Sequence, residues 1–140
     1  MKFFSFAFRI AGAASVAVLP FLAACQSTPE STVPPPPSDA SVKTMEQVMN
    51  SASTCWYKSG DKAFAAYRLA PELNAIAGPP RLLIVPASAP EGRPVAVIQA
   101  QGTPAVVQTY GPLMATPVGK RISTDVNRWA AGGTGCGGQA

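Results

Sequence analysis

The chain alternates between stretches that can bury apolar surface and stretches that cannot. Ile10 to Leu22 is apolar or small and uncharged, with Gly12, Ser15 and Pro20 inside it. That run is shorter than the roughly 20 residues a spanning helix needs, and Pro20 interrupts its end. Residues 26–40 (QSTPESTVPPPPSDA) hold almost nothing apolar, and their prolines favour an extended, polyproline-like tether outside any core. From Ser41 the pattern changes. Val42, Met45, Val48, Met49 and Ala52 recur at helical spacing, and Ser38, Asp39 or Ser41 is placed to cap the start, so a helix is predicted over about 41–53. Cys55, Trp56 and Tyr57 follow it, and Lys58-Ser59-Gly60-Asp61 reads as a turn.

The middle of the chain is strand-like. Phe64 to Leu69 fits either a first strand or a short helical turn opened by Asp61. Arg81 to Val85 (RLLIV) reads as a strand from its short apolar run between Pro79-Pro80 and Pro86. Val95 to Ala100 and Ala105 to Tyr110 are two more, joined by short links rich in Pro and Gly, a spacing that predicts an antiparallel meander. The end is helical again. Thr116 is placed to cap, Pro117 suits the first helical position, and Gly132-Gly133 terminates. Ile122, Val126, Trp129 and Ala130 form the apolar stripe, with Lys120, Arg121, Asp125 and Arg128 off it. The expected fold class is α+β: an N-terminal helix, a three- or four-stranded antiparallel meander and a C-terminal helix, both helices on one sheet face.

Lys2 and Arg9 precede the apolar run, and small residues end it at Leu22-Ala23-Ala24-Cys25. A basic start, a short apolar stretch and a small-residue cut are the marks of an export signal. Leu-Ala-Ala-Cys resembles the lipobox of bacterial lipoproteins. An ordinary secretory signal would prefer a small residue where Leu22 stands. The resemblance implies a signal peptide over 1–24, a lipidated Cys25, a Pro-rich tether over 25–40 and a small domain over 41–140. It also implies a membrane partner, since a lipobox cysteine carries diacylglycerol and often a third acyl chain, and two or more chains anchor firmly. Gln26 follows the cysteine, where enterobacterial lipoproteins kept in the inner membrane usually have Asp, so the outer membrane is the expected location. The segment from Cys55 to Ala130 also resembles small lipoproteins of alphaproteobacterial type, a resemblance that brings no activity with it.

On that reading the mature chain has 116 of the 140 residues, enough for one domain. Loss of Lys2 and Arg9 leaves nine basic residues against seven acidic ones, a net charge of about +2. With no block of like charge and no basic stripe carrying aromatics, nucleic acid is not an expected partner. With Cys25 assigned to lipid, Cys55 and Cys136 remain in an exported chain, where two thiols usually pair. Such a bridge would stabilise by roughly 4 kcal/mol through loop closure. Two free thiols, or intermolecular bonds through the Gly-rich tail, are the alternatives.

The chain has no histidine, which removes Ser-His-Asp and Cys-His catalysis and the usual zinc ligands. No GxSxG elbow is present, and Glu46, Asp61, Glu72, Glu91 and Asp125 show no pairing by spacing. Gly133-Thr134-Gly135-Cys136-Gly137-Gly138 fits GxGxxG, but a dinucleotide site needs a strand before it and a helix after it. A predicted helix precedes it, so a flexible tail carrying one half-cystine is the expected role. No cofactor, metal or enzymatic activity is expected. Trp129 belongs on the core stripe, and Trp56 is expected to pack over the disulfide. Tyr110, at a strand end, is the aromatic expected at the surface. Tyr110, Trp56, Lys120, Arg121 and Arg128 are the residues from which a binding surface would be drawn. The expected function is a non-enzymatic structural or accessory role through contact with an envelope protein. A small-ligand or glycan module using the sheet end near Tyr110, and an inhibitor presenting the loop Pro86–Pro94, are the alternatives.

Overall fold

Ser38 opens the first helix. Its Oγ accepts the Ser41 N–H at 3.2 Å, and Asp39 adds a negative charge at the positive end of the helix dipole. The helix, α1, runs Asp39–Ala52 and buries Met45, Val48 and Ala52. It starts two residues earlier than predicted, because Ser38 does the capping. Beyond Ala52 the chain does not leave the helix but widens into a π-helical segment, Ser53–Lys58, which buries the consecutive residues Cys55 and Trp56. A wider turn separates neighbours by a smaller angle than an α-helix does, so two adjacent side chains face inward together. The structure is a computed structural model that describes residues 34–137. The predicted signal peptide, Cys25 and the first part of the tether lie outside the described residues.

Asp61 caps a single 3-10 turn, Lys62–Phe64, by accepting the Ala63 N–H at 3.0 Å, and this turn drives Phe64 fully into the core. The stretch 64–69 thus combines both readings, because a strand follows at once. Four strands, β1 (Tyr67–Glu72), β2 (Arg81–Pro86), β3 (Ala96–Gln101) and β4 (Val106–Tyr110), form one antiparallel sheet in the order β1-β2-β3-β4. Alternation decides the faces. Leu82 and Ile84, with Ala96, Ile98 and Ala100, point to the helices and are fully buried.

A 3-10 turn, Pro112–Ala115, leads into α2 (Pro117–Ala130). Thr116 Oγ1 accepts the Gly119 N–H at 3.2 Å and Pro117 holds the first position, as the pattern predicts. Ile122, Val126 and Trp129 are fully buried and join Met45, Val48, Trp56 and the inner face of the sheet in one core. Gly119 lets α2 lie against the turn before it, since a Cβ there would stand 2.2 Å from Leu113 O and 2.4 Å from Met114 Cα. In an open helix interior Gly→Ala gains up to about 1 kcal/mol. Here Gly119→Ala is expected to cost about 2 kcal/mol, because the obstruction is backbone and the turn must move. Urea unfolding of the variant checks the sign.

The ends of the domain are fastened. Cys55 and Cys136 are joined, with their Cα atoms 5.1 Å apart. The tail expected to be flexible is held beyond the disulfide as well. Gly135 C=O accepts from Trp129 Nε1 at 3.0 Å and from Arg128 Nη1 at 2.5 Å. Gly137 serves close approach, for a Cβ there would meet Asp125 Oδ1 at 2.6 Å. At the other end, part of the expected tether lies on the domain. Pro35 C=O accepts the Gly78 N–H at 3.1 Å, and Ser38 Oγ donates to Gly102 C=O at 2.7 Å.

Candidate functional site

The helices occupy one face of the sheet, so the opposite face is where a partner can reach it. Cross-strand rows build this face. One row is Glu72, Arg81, Gln99 and Gln108, and the next is Ala70, Leu83, Val97 and Tyr110. The first row is tied by neighbouring pairs. Arg81 Nη2 donates to Glu72 Oε2 at 2.6 Å, and Gln99 Nε2 donates to Gln108 Oε1 at 3.1 Å. Tyr110 OH crosses between rows to donate to Gln99 Oε1 at 3.1 Å. These pairs hold long side chains flat, while Leu83 and Val97 stay half-buried beside them. Tyr110 is 46 % exposed, as expected of it, and Val106, at the same edge, is 61 % exposed.

Where the polar row ends, Pro34–Pro37 and the Gly78-Pro79 loop wall a groove of about 490 Å³ with Arg81, Gln99 and Gln101 along it. Among the described residues no aromatic side chain lines it. Proline is its commonest lining residue, and the side chains of Ser38, Ser41, Arg81 and Gln99 are already hydrogen-bonded elsewhere. It therefore offers shape and few free polar groups, unlike the sites with convergent polar groups that fix a small ligand.

The other residues expected at a binding surface lie elsewhere. Trp56 is fully buried, with its ring stacked on Phe64 at 4.6 Å and tilted against Trp129 at 5.1 Å, and so belongs to the core. Its Nε1 donates to Asp125 Oδ2 at 2.9 Å. Arg121 bridges two carboxylates, with Nη1 2.5 Å from Asp61 Oδ2 and Nε 3.6 Å from Asp125 Oδ2. Arg128 Nη2 donates to Asp125 Oδ1 at 2.6 Å. Both arginines are therefore committed to a largely internal polar cluster, and only Lys120 of the three helical cations is exposed as expected. The cluster ties the π-helical segment, the Asp61 turn and α2 together. Its groups are engaged with one another, which suits a clamp rather than a catalytic centre. Spacing offered one signal for it, Arg121 and Arg128 at four and three residues from Asp125. Nothing local marked Asp61 or Trp56 as their partners.

No protein-family model, curated protein or solved structure matches this chain. Among the described residues no group of three His, Cys, Asp or Glu side chains is placed to hold a metal ion. No described helix is long and apolar enough to cross a membrane.

Tyr57 has a displaced pKa, and its hydroxyl is buried without a hydrogen-bond partner among the described residues. Burial pushes the phenol up to about 12, with Arg68 pulling the other way. The folded state thus keeps the proton that the unfolded chain releases near pH 10. The stabilisation is present below pH 10 and is lost as pH rises toward 12. Ultraviolet titration should find a late-ionising tyrosine that disappears in Tyr57→Phe, and the variant should lose less stability between those limits.

Proposed function

We propose that this chain is a lipid-anchored envelope lipoprotein with a non-enzymatic, structural or accessory role, exercised through protein contact at the helix-free sheet face. The observation that carries the reading is that face itself. It pairs a half-apolar row (Ala70, Leu83, Val97, Tyr110) with a row of side chains already held flat by their own hydrogen bonds. Such a mixed, pre-ordered patch suits protein contact, in which aromatic anchors sit within a polar surround. The export signal and the Leu22-Ala23-Ala24-Cys25 motif support the anchor, and the outer membrane is the location we assign. A glycan module would be better served by an aromatic-lined pocket than by a proline-walled groove.

The test places a photo-reactive amino acid at Gln99 or Leu83 in the full chain, expressed with its own N-terminus in a Gram-negative host. The expected product is an adduct with one envelope protein, absent when the label replaces Glu46 on α1. No adduct from either position, or equal adducts from Glu46, would sink the reading. Intact-mass analysis of the membrane fraction should show Cys25 as a lipidated N-terminus. An unmodified Cys25 would remove the anchor and leave the contact surface to be judged alone.

A further inference from the structure

Two of the three large apolar side chains that stand exposed among the described residues, Val106 and Tyr110, lie on one strand, β4. That strand is an edge whose sheet partner is β3. Edge strands ordinarily carry charge, proline or a bulge that discourages further pairing. The opposite edge, β1, has all but the bulge, with Arg68, Pro71 and Glu72. The β4 sequence, Val106-Val107-Gln108-Thr109-Tyr110, has no charge and no proline.

The hydrogen-bond pattern fixes which backbone groups the two edges present. Ala100 N–H donates to Pro80 C=O, one residue outside the Arg81–Gln99 pair on each strand, which makes that pair the non-hydrogen-bonded kind. Alternation across β3 makes Gln99–Gln108 a hydrogen-bonded pair, so Val107 and Thr109 aim their N–H and C=O groups away from the sheet. No backbone hydrogen bond outside the sheet ladder takes them up among the described residues. The same alternation across β2 makes Tyr67, Leu69 and Pro71 the outward residues of β1; Pro71 has no N–H to give, and Tyr67 C=O already accepts from Arg68 Nη1 at 3.0 Å. One edge is therefore blunted at its backbone, and the other is a complete template.

We propose that β4 pairs antiparallel with β4 of a second copy of this chain, about a two-fold axis through Gln108. In that register Val106 stands opposite Tyr110 of the second copy, and Tyr110 opposite its Val106. Gln108 meets Gln108. Val107 and Thr109 exchange their outward N–H and C=O groups with Thr109 and Val107 across the axis, giving four backbone hydrogen bonds. Val106, Gln108 and Tyr110 then occupy non-hydrogen-bonded pairs, where side chains stand closest and aromatic–β-branched contacts count most. A shift of one residue sets open-face side chains against helix-side ones, and a shift of two leaves one apolar partner unmatched. The isologous contact closes on itself and makes a dimer, not a fibre. Two four-stranded sheets become one of eight strands, with the two helix-free faces side by side.

An interface of this extent sits at the low end of specific contacts, so the dimer is reversible. Confinement by the proposed lipid anchor raises the local concentration and favours it. The pairing itself does not depend on that anchor.

The experiment places a photo-reactive amino acid at Gln108 in the full chain in cells. The expected product has twice the chain mass and joins position 108 to residues 106–110 of the second copy. The same label at Arg68 on β1 should give none. Thr109→Pro removes an outward N–H and leaves the β3 ladder intact, so it should reduce the adduct at least fivefold while the near-ultraviolet circular dichroism of the tryptophans stays unchanged. Should that spectrum change, Gln108→Lys, which sets like charges opposite each other, replaces it in detergent-solubilised chain and should weaken sedimentation-measured dimerisation at least tenfold. No self-adduct, a self-adduct through other residues, an adduct to a different protein, or indifference to these substitutions overturns the proposal. Labels at 99 and 108 report separately: a different protein captured at 99 with no self-adduct at 108 leaves the functional reading standing and removes this one.

Discussion

Replacing Cys55 and Cys136 together by alanine is expected to lower the stability of the domain by about 4 kcal/mol. The two residues are 81 apart in sequence, and the described domain between Ser38 and Gly137 lies largely inside the loop they close. The unfolded chain therefore loses most of its end-to-end freedom when the bridge is present. A single domain of this size has about 5–15 kcal/mol in total, so the loss takes a large fraction of it. The folded form should nevertheless survive. The tail stays fastened through Gly135, whose carbonyl accepts from Trp129 Nε1 and Arg128, and the core around Trp56 does not contain Cys136. Urea midpoints with and without reductant measure the difference, which at about 1–1.5 kcal/mol per molar for so small a domain is a shift near 3 M. Near-ultraviolet circular dichroism in the absence of urea should be the same for both proteins. A shift below about 0.5 M would mean that loop closure is not what the bridge contributes.

What the sequence made legible follows physical lines. Arg81 to Val85 and its neighbours declared themselves as strands because short apolar runs between prolines leave few other ways to bury them. The helix starts were readable from Ser38, Thr116 and Pro117, whose side chains satisfy or remove otherwise orphaned N–H groups. The π-helical segment was not readable, because the demand that widens it comes from the core that Cys55 and Trp56 must both enter. Arg121 and Arg128 sit off the apolar stripe and so read as solvated, yet both turn inward. The reason is Asp125, a polar residue that periodicity places outside and that is buried because two hydrogen-bond donors, Trp56 and Arg128, and the Arg121 guanidinium meet it. The helix-free face was implied by the meander, but its partner rows depended on a register that strand patterns alone do not set.

That carboxylate supports the second large effect. Asp125→Ala is expected to destabilise by about 3–5 kcal/mol, the usual cost of removing one partner from a buried charged cluster. Asp125 is 2 % exposed, and its loss strands several groups at once. Trp56 Nε1–H, inside the core, is left without an acceptor, which alone costs about 1–3 kcal/mol. Arg128 loses its ion pair with Oδ1, and Arg121 keeps only Asp61. Asp125→Asn keeps the shape and an oxygen for Trp56 but removes the charge, so it should cost less, about 2 kcal/mol, and the gap between the two variants measures the stranded indole. A double-mutant cycle separates the same contribution independently. Trp56→Phe removes the indole N–H, so Asp125→Ala should cost at least about 1 kcal/mol less in that background. Additivity in the cycle would show that the Trp56–Asp125 hydrogen bond contributes nothing, and a cost below about 1 kcal/mol for Asp125→Ala would reduce the whole cluster to a peripheral one. Because these side chains lie on the helix side of the sheet, variants that still fold should retain crosslinking from Gln99 unchanged, which separates the clamp from the surface assigned to protein contact.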